Sequence, residues 1–139
     1  MSTPTGYVAY SHPSRYLELI GPLFERADDP SRVGLRIDER HTNSRGFLHA
    51  GVLVAVADVL MGHTAHRNAR QGVGLVTASL TTDFPGSARA GDWVTGSATA
   101  RRVGRRLAFA GCEFRTGDQL VLTASGVFAT VPTTRTEAP

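Results

Sequence analysis

Lysine is missing from this chain altogether, because all 15 of its basic residues are arginine. Schiff-base catalysis, pyridoxal chemistry and a Walker-type phosphate loop all need a lysine amine, so all three are excluded. Cysteine is almost as scarce. Cys112 is the only one, which rules out an intrachain disulfide and any cysteine-rich zinc or iron–sulfur site and favours a reducing compartment. Charge is sparse too. Charged residues make up 19% and the formal net charge is +3, so the chain has neither the composition of a disordered segment nor the basic stripe of a nucleic-acid binder. Between Met1 and Tyr10 no charged region precedes an apolar one, so no secretory signal is legible and a cytosolic protein is expected.

What is present is one domain's worth of material: 139 residues, 41% of them hydrophobic, enough for a single core. The stretch Phe47–Arg67 stands apart, since from Ala50 to Met61 its only ionisable residue is Asp58. It is too short and too interrupted, by His49, Asp58 and His63, to span a bilayer. It therefore reads as a buried helix, apolar on every face, that other elements must wrap. Four later segments alternate with period two: Val76–Phe84, Trp93–Val103, Leu107–Arg115 and Leu120–Val131. Turn chemistry at Pro85-Gly86, Gly104 and Thr116-Gly117-Asp118 separates them and predicts an antiparallel meander. In the first, Val76, Ala78, Leu80 and Phe84 share the apolar face, while Thr77, Ser79, Thr81 and Asp83 share the polar one. Upstream, Val33–Glu39 reads as a strand and Ser14–Phe24 as an amphipathic helix. The ends, Met1–Tyr10 and Pro132–Pro139, are expected to fray. The pattern predicts an α+β domain over residues 1–139, core about 33–131, with a curved antiparallel sheet wrapped around one long helix.

The residues Asn43-Ser-Arg-Gly46-Phe-Leu-His49-Ala50-Gly51, followed by Asp58 and Gly62, resemble a known signature, N-x2-G-x2-H-G-G-x6-D-x3-G. It is that of hotdog-fold acyl-CoA thioesterases of the PaaI-like group. Gly91-Asp92 after the first period-two segment, and Val103-Gly104-Arg105-Arg106-Leu107, resemble further family features. Ala50 departs from the pattern, standing where the family has the first of two glycines. The resemblance implies a thioester hydrolase whose only nucleotide is the coenzyme A of its substrate, with no bound cofactor and no metal. It also implies a homodimer, often paired into a homotetramer.

Hydrolysis of a thioester needs a base or nucleophile, donors for the developing oxyanion and a place for the thiol carrier. Asp58 sits in Val-Ala-Asp-Val-Leu-Met, where desolvation would disfavour its charged form; an aspartate there either does chemistry or bonds a neighbouring strand. The resemblance implies the former. The helix start near Phe47–Gly51 offers unpaired N–H groups and a positive dipole end, and the resemblance assigns the oxyanion donor to the Ala50 N–H. Asn43 either orients the thioester carbonyl or makes an Asx turn. His49 is given an orienting role. Gly46 and Gly51, as motif glycines, lie against the substrate or serve turn geometry and close packing. Thr77 falls where the family carries a hydroxyl near the carboxylate.

Arg101, Arg102, Arg105 and Arg106 flank Gly104, and guanidinium forks suit coenzyme A phosphates, although a solvated hairpin tip looks the same in sequence. No aromatics interleave with them to stack bases, so nucleic acid is not an expected partner. Asp58 and His63 match the D-x4-H spacing of hotdog enoyl-CoA hydratases, but five helical residues leave two side chains about 140° apart. His63 and His66 have a metal-compatible spacing without a third ligand. Cys112 alternates with Ala108, Ala110 and Phe114 and reads as a packed, inert side chain. A non-catalytic hotdog protein that merely holds acyl-CoA or a small ligand is the rival reading. The expected acyl-pocket walls are Phe47, Val54, Met61 and Phe84.

Overall fold

The structure is a computed structural model in which residues 1–133 are described. The expected fraying of the C-terminus falls mostly on residues 134–139, outside them. The elements run β1 (Tyr7–Ala9), α1 (Arg15–Ile20), β2 (Leu23–Arg26), β3 (Asp29–Arg36) and a 3-10 turn (Glu39–His41). There follow α2 (Ala50–His66), β4 (Val73–Asp83), β5 (Trp93–Val103), β6 (Leu107–Thr116) and β7 (Gln119–Pro132). The seven strands form one antiparallel sheet in the order β1-β2-β3-β5-β6-β7-β4, and α2 packs against β3 through β7. This is the hotdog architecture, a sheet curled around one long helix. No described helix is long and apolar enough to cross a membrane.

Burial along α2 follows its helical period. Leu53, Val56, Ala57, Leu60, Met61, Thr64 and Ala65 form the buried stripe, meeting Ala108, Ala110, Phe114, Leu122 and Phe128 of the sheet's inner face. Val52, Val54, Ala55 and Val59 on the opposite flank are only partly buried. The sheet of one chain therefore covers one side of this apolar helix, not every side as its composition predicts.

The expected four-strand meander is reduced to three. β5, β6 and β7 are sequential neighbours, but β4 lies beyond β7 at the sheet edge, paired from Val73↔Pro132 to Asp83↔Thr123. The Pro85-Gly86 turn closes no hairpin. Residues 84–92 instead run past the entrance of α2, where Ala88 O accepts the Leu48 N–H at 2.8 Å and Phe47 bridges Arg89. The first helix is shorter than its pattern. Ser14 caps it, but Gly21 and Pro22 stop it after Ile20, since proline cannot donate to the next turn. Leu23 and Phe24 then enter β2. The expected fraying of Met1–Tyr10 does not extend to its last residues, because Tyr7, Val8 and Ala9 pair with Arg26, Glu25 and Phe24. Tyr7 also meets Trp93 edge-on at 5.1 Å. β3 begins earlier than expected, at Asp29, and ends at Arg36 before the 3-10 turn.

Close packing inside the curl depends on glycine. A Cβ on Gly96 of β5 would lie 2.4 Å from the ring of its cross-strand partner Phe114, which is 1% exposed. Gly96→Ala is expected to destabilise the fold by about 1–3 kcal/mol through overpacking, read as a lowered denaturation midpoint.

Candidate active site

Two features converge at the start of α2. Asn43 Oδ1 accepts from the backbone N–H groups of Arg45 (2.9 Å) and Phe47 (3.2 Å), so this carbonyl is occupied by an Asx turn. The turn passes through Gly46 at φ +82°, a conformation that favours glycine, and a Cβ there would meet open space. Gly46 thus serves backbone geometry. His49 is the N-cap, its Nδ1 accepting from Gly51 N–H at 2.9 Å. Gly51 therefore has no N–H left for a ligand. Ala50, the first helical residue, keeps its N–H without an acceptor among the described residues, at the positive end of the helix dipole. Asn43 and Ala50 border a small cavity of about 140 Å³ with Leu48, Leu53 and Phe84.

His41 anchors this loop from behind. It is 1% exposed, its Nδ1 accepts from Asp38 N–H, its Nε2 donates to Ile20 O and its carbonyl receives His49 N–H at 2.8 Å. Sequence reading passed over it. The Asp38-to-His41 capping box was the available signal.

Asp58 borders a second, larger cavity of about 490 Å³. It is half-buried rather than enclosed in the core, and Thr77 Oγ1 donates to its Oδ1 at 2.6 Å. A β-bulge creates that contact. The register of β4 against β7 slips between Thr77 and Ser79, so Ala78 is extra and the alternation inverts around it. Leu75 and Leu80 consequently pack on the core, and Thr77 turns toward α2, while Val76 is left 48% exposed. Thr77 is therefore separated from Thr81 and Asp83, its expected companions, which border a polar hollow among outer-face residues such as Ser97, Thr99 and Ser125.

Val59, Leu75, Val76, Phe128 and Val131 are the apolar walls of the Asp58 cavity. The expected walls stand elsewhere: Met61 is fully buried in the core, Phe84 lines the smaller cavity and Val54 lines neither. Phe47 lies beneath the guanidinium groups of Arg45 and Arg89, at 5.7 and 4.9 Å. His63 and His66, given no site role by the sequence, line the cavity. His63 and Asp58 line it together.

The four hairpin arginines do not form one cluster. A second bulge, between Ala100 and Arg102, sends Arg101 across the sheet's outer face, where its guanidinium lies 2.3 Å from the position a Gly111 Cβ would take. Arg102, Arg105 and Arg106 are exposed at the tip, and the Arg106 carbonyl accepts Thr130 N–H beside Val131 of the larger cavity. Cys112 faces the core, and burial pushes its thiol up to about 12, so it is no nucleophile.

Ala50 and Asp58 border different cavities, and eight residues of helix separate them by about 12 Å along the axis. One chain does not bring the two together.

A sheet curled on a central helix, with a hydroxyl-bonded carboxylate on that helix and a free N–H at its start, defines a hotdog domain of the thioesterase kind. The chain belongs to the thioesterase superfamily, whose model matches residues 45–123. A Pseudomonas aeruginosa protein named "Putative esterase PA0474" is 39% identical over 130 residues, covering 92% of this chain and 97% of its own. Among solved structures, the Escherichia coli PaaI protein from the phenylacetic acid degradation operon superposes with a TM-score of 0.72 at 18% identity, covering 87% of each chain. A Bacillus halodurans protein solved with CoA superposes with a TM-score of 0.76 at 18% identity, covering 86% of this chain and 78% of that one.

Proposed function

We propose that the protein hydrolyses acyl-CoA thioesters to a carboxylic acid and coenzyme A, at a site shared by two copies of the chain. The observation that carries this reading is the Asp58 carboxylate held by Thr77 at the wall of an apolar cavity. With Oδ1 receiving the Thr77 hydroxyl, Oδ2 remains to act on water or on the acyl carbon. In the water route, Asp58 takes a proton as the hydroxide adds to the acyl carbon. The carbonyl oxygen becomes negative against the Ala50 N–H, the C–S bond breaks, and the proton passes to the departing thiolate. Asn43 and His49 support this donor by fixing the turn and the cap. No cofactor enters these steps. Coenzyme A as the carrier is supported by the Bacillus halodurans relative solved with CoA. Arg102, Arg105 and Arg106 are the proposed phosphate contacts, and Arg101, directed across the outer face, is not.

Two surfaces uncovered by the described residues favour a homodimer: the half-exposed flank of α2 with Val52, Ala55 and Val59, and the outer edge of β4. A two-fold axis between antiparallel copies would bring the Ala50 N–H of one to Asp58 of the other. Thiol release from a panel of acyl-CoA esters tests the reaction. Binding without release would favour the ligand-holding protein, and loss of an enoyl double bond without release the hydratase.

The shared site is tested by mixing. Ala50→Pro and Asp58→Asn proteins, each inactive alone, are expected to regain about a quarter of wild-type sites after subunit exchange, since half of the dimers are mixed and each mixed dimer holds one intact site. No recovery despite demonstrated exchange would place each site within one chain.

A further inference from the structure

We infer that His63 is a specificity-determining residue of this site and that the acyl group it selects carries a hydrogen-bond acceptor; the inference rests on the hydrolase reading above. The Asp58 cavity is mostly apolar, yet His63 and His66, on consecutive turns of α2, both form part of its wall. Histidine is a poor wall for a plain hydrocarbon chain unless both ring nitrogens have partners.

Among the described residues, only one nitrogen of His63 has one. Its Nδ1 is bonded to the hydroxyl of Tyr10, a residue 8% exposed that follows β1 and stacks on the His63 ring at 5.6 Å. Burial pushes the Tyr10 phenol well above its usual range and the His63 imidazole down to about 4, with His12, Arg67 and His66 adding to the latter. Both groups are therefore neutral at physiological pH. The Tyr10 hydroxyl has no other acceptor among the described residues, so it is assigned as the donor: Nδ1 accepts, and the hydrogen of the neutral ring sits on Nε2. The Nε2–H of His66 is already used, donated to Val73 O at 3.1 Å, because a carbonyl only accepts. The nitrogen His63 has left for a ligand is thus a donor whose tautomer is set by Tyr10.

An acyl group made only of carbon would desolvate that N–H and give it nothing. One bearing an ether, keto or similar oxygen would satisfy it, and a site built to bond such an atom discriminates against the analogue lacking it. Five helical residues separate Asp58 from His63, about 7.5 Å along the axis, so the oxygen belongs toward the far end of the acyl group. Tyr10 is the positioning residue for this donor.

The test uses near-isosteric pairs that differ in one oxygen: 4-methoxybenzoyl-CoA against 4-ethylbenzoyl-CoA, and 5-oxohexanoyl-CoA against 5-methylhexanoyl-CoA. Thiol release gives kcat/KM for each. For the skeleton the wild type accepts, the oxygen-to-carbon ratio is expected to be at least about 10, falling to near one in His63→Phe. If His63→Phe fails to fold with the Tyr10 hydroxyl unpartnered, the Tyr10→Phe/His63→Phe pair removes both polar groups and reads the same ratio. Tyr10→Phe alone is expected to lower the ratio and to move the ¹⁵N shifts of the His63 ring from a single Nε2–H form to a tautomer mixture, which a merely structural tyrosine would not do. A wild-type ratio near one, or an unchanged ratio in a folded His63 variant, overturns the inference and leaves hydrolysis standing. Failure of the wild type to release thiol from any acyl-CoA overturns both.

Discussion

Asp58→Asn is expected to lower acyl-CoA turnover by at least about 10²-fold while the protein stays folded, measured by thiol release alongside the denaturation midpoint. The substitution keeps the volume of the side chain. An amide oxygen in place of Oδ1 still accepts the Thr77 hydroxyl, now 2.6 Å away, so the contact that orients the group survives. What disappears is the carboxylate's ability to take a proton or attack the acyl carbon. A loss confined to kcat fits either chemical role, base or nucleophile, whereas a change confined to KM would make Asp58 a binding contact only. Wild-type turnover in the folded variant would remove Asp58 from the reaction.

Ala50→Pro is expected to cost about 10²- to 10³-fold in kcat with little change in stability, which is unusual for a proline placed in a helix. Ala50 is the first residue of α2, where the N–H has no intrahelical partner and a fixed φ near −65° suits the helix. The preceding His49 lies at φ −68° and ψ 127°, in the extended region that a following proline requires. The cap from Gly51 N–H to His49 Nδ1 is untouched. The variant thus deletes one hydrogen-bond donor and almost nothing else. An equal activity in Ala50→Pro would assign oxyanion stabilisation to another group.

The fold was legible where local pattern and tertiary role agree. β5 begins and ends at Trp93 and Val103 as its alternation predicts, and α2 ends within a residue of Arg67. Legibility failed where an irregularity intervenes. One extra residue, Ala78, inverts the alternation within β4, and no feature of Val76–Phe84 as a sequence marks a bulge there. The strand order failed for a different reason: Pro85-Gly86 reads as a turn, but whether a turn closes a hairpin or crosses a sheet is set by partners far along the chain. Of the candidate site, the motif residues of the α2 entrance and Asp58 stand out in the sequence by their resemblance to a family signature. Two of them proved to have backbone duties, since Asn43 Oδ1 and His49 Nδ1 hold N–H groups of their own loop. Tyr10 and His63 were invisible as a pair, because their bond joins residues 53 apart in sequence.

The bulge at Ala78 divides β4 into two stretches under separate constraints. Before it, Leu75 and Thr77 face the helix and the carboxylate; after it, Thr81 and Asp83 face the outer side of the sheet. A single-residue deletion at 78 would put the strand in phase, exchanging the two faces downstream and leaving Leu80 outside the core. Laboratory recombination of this strand with a relative's should therefore keep the crossover point on one side of residue 78 or the other, because a junction that loses the extra residue would swap the sheet's interior for its exterior along half an edge.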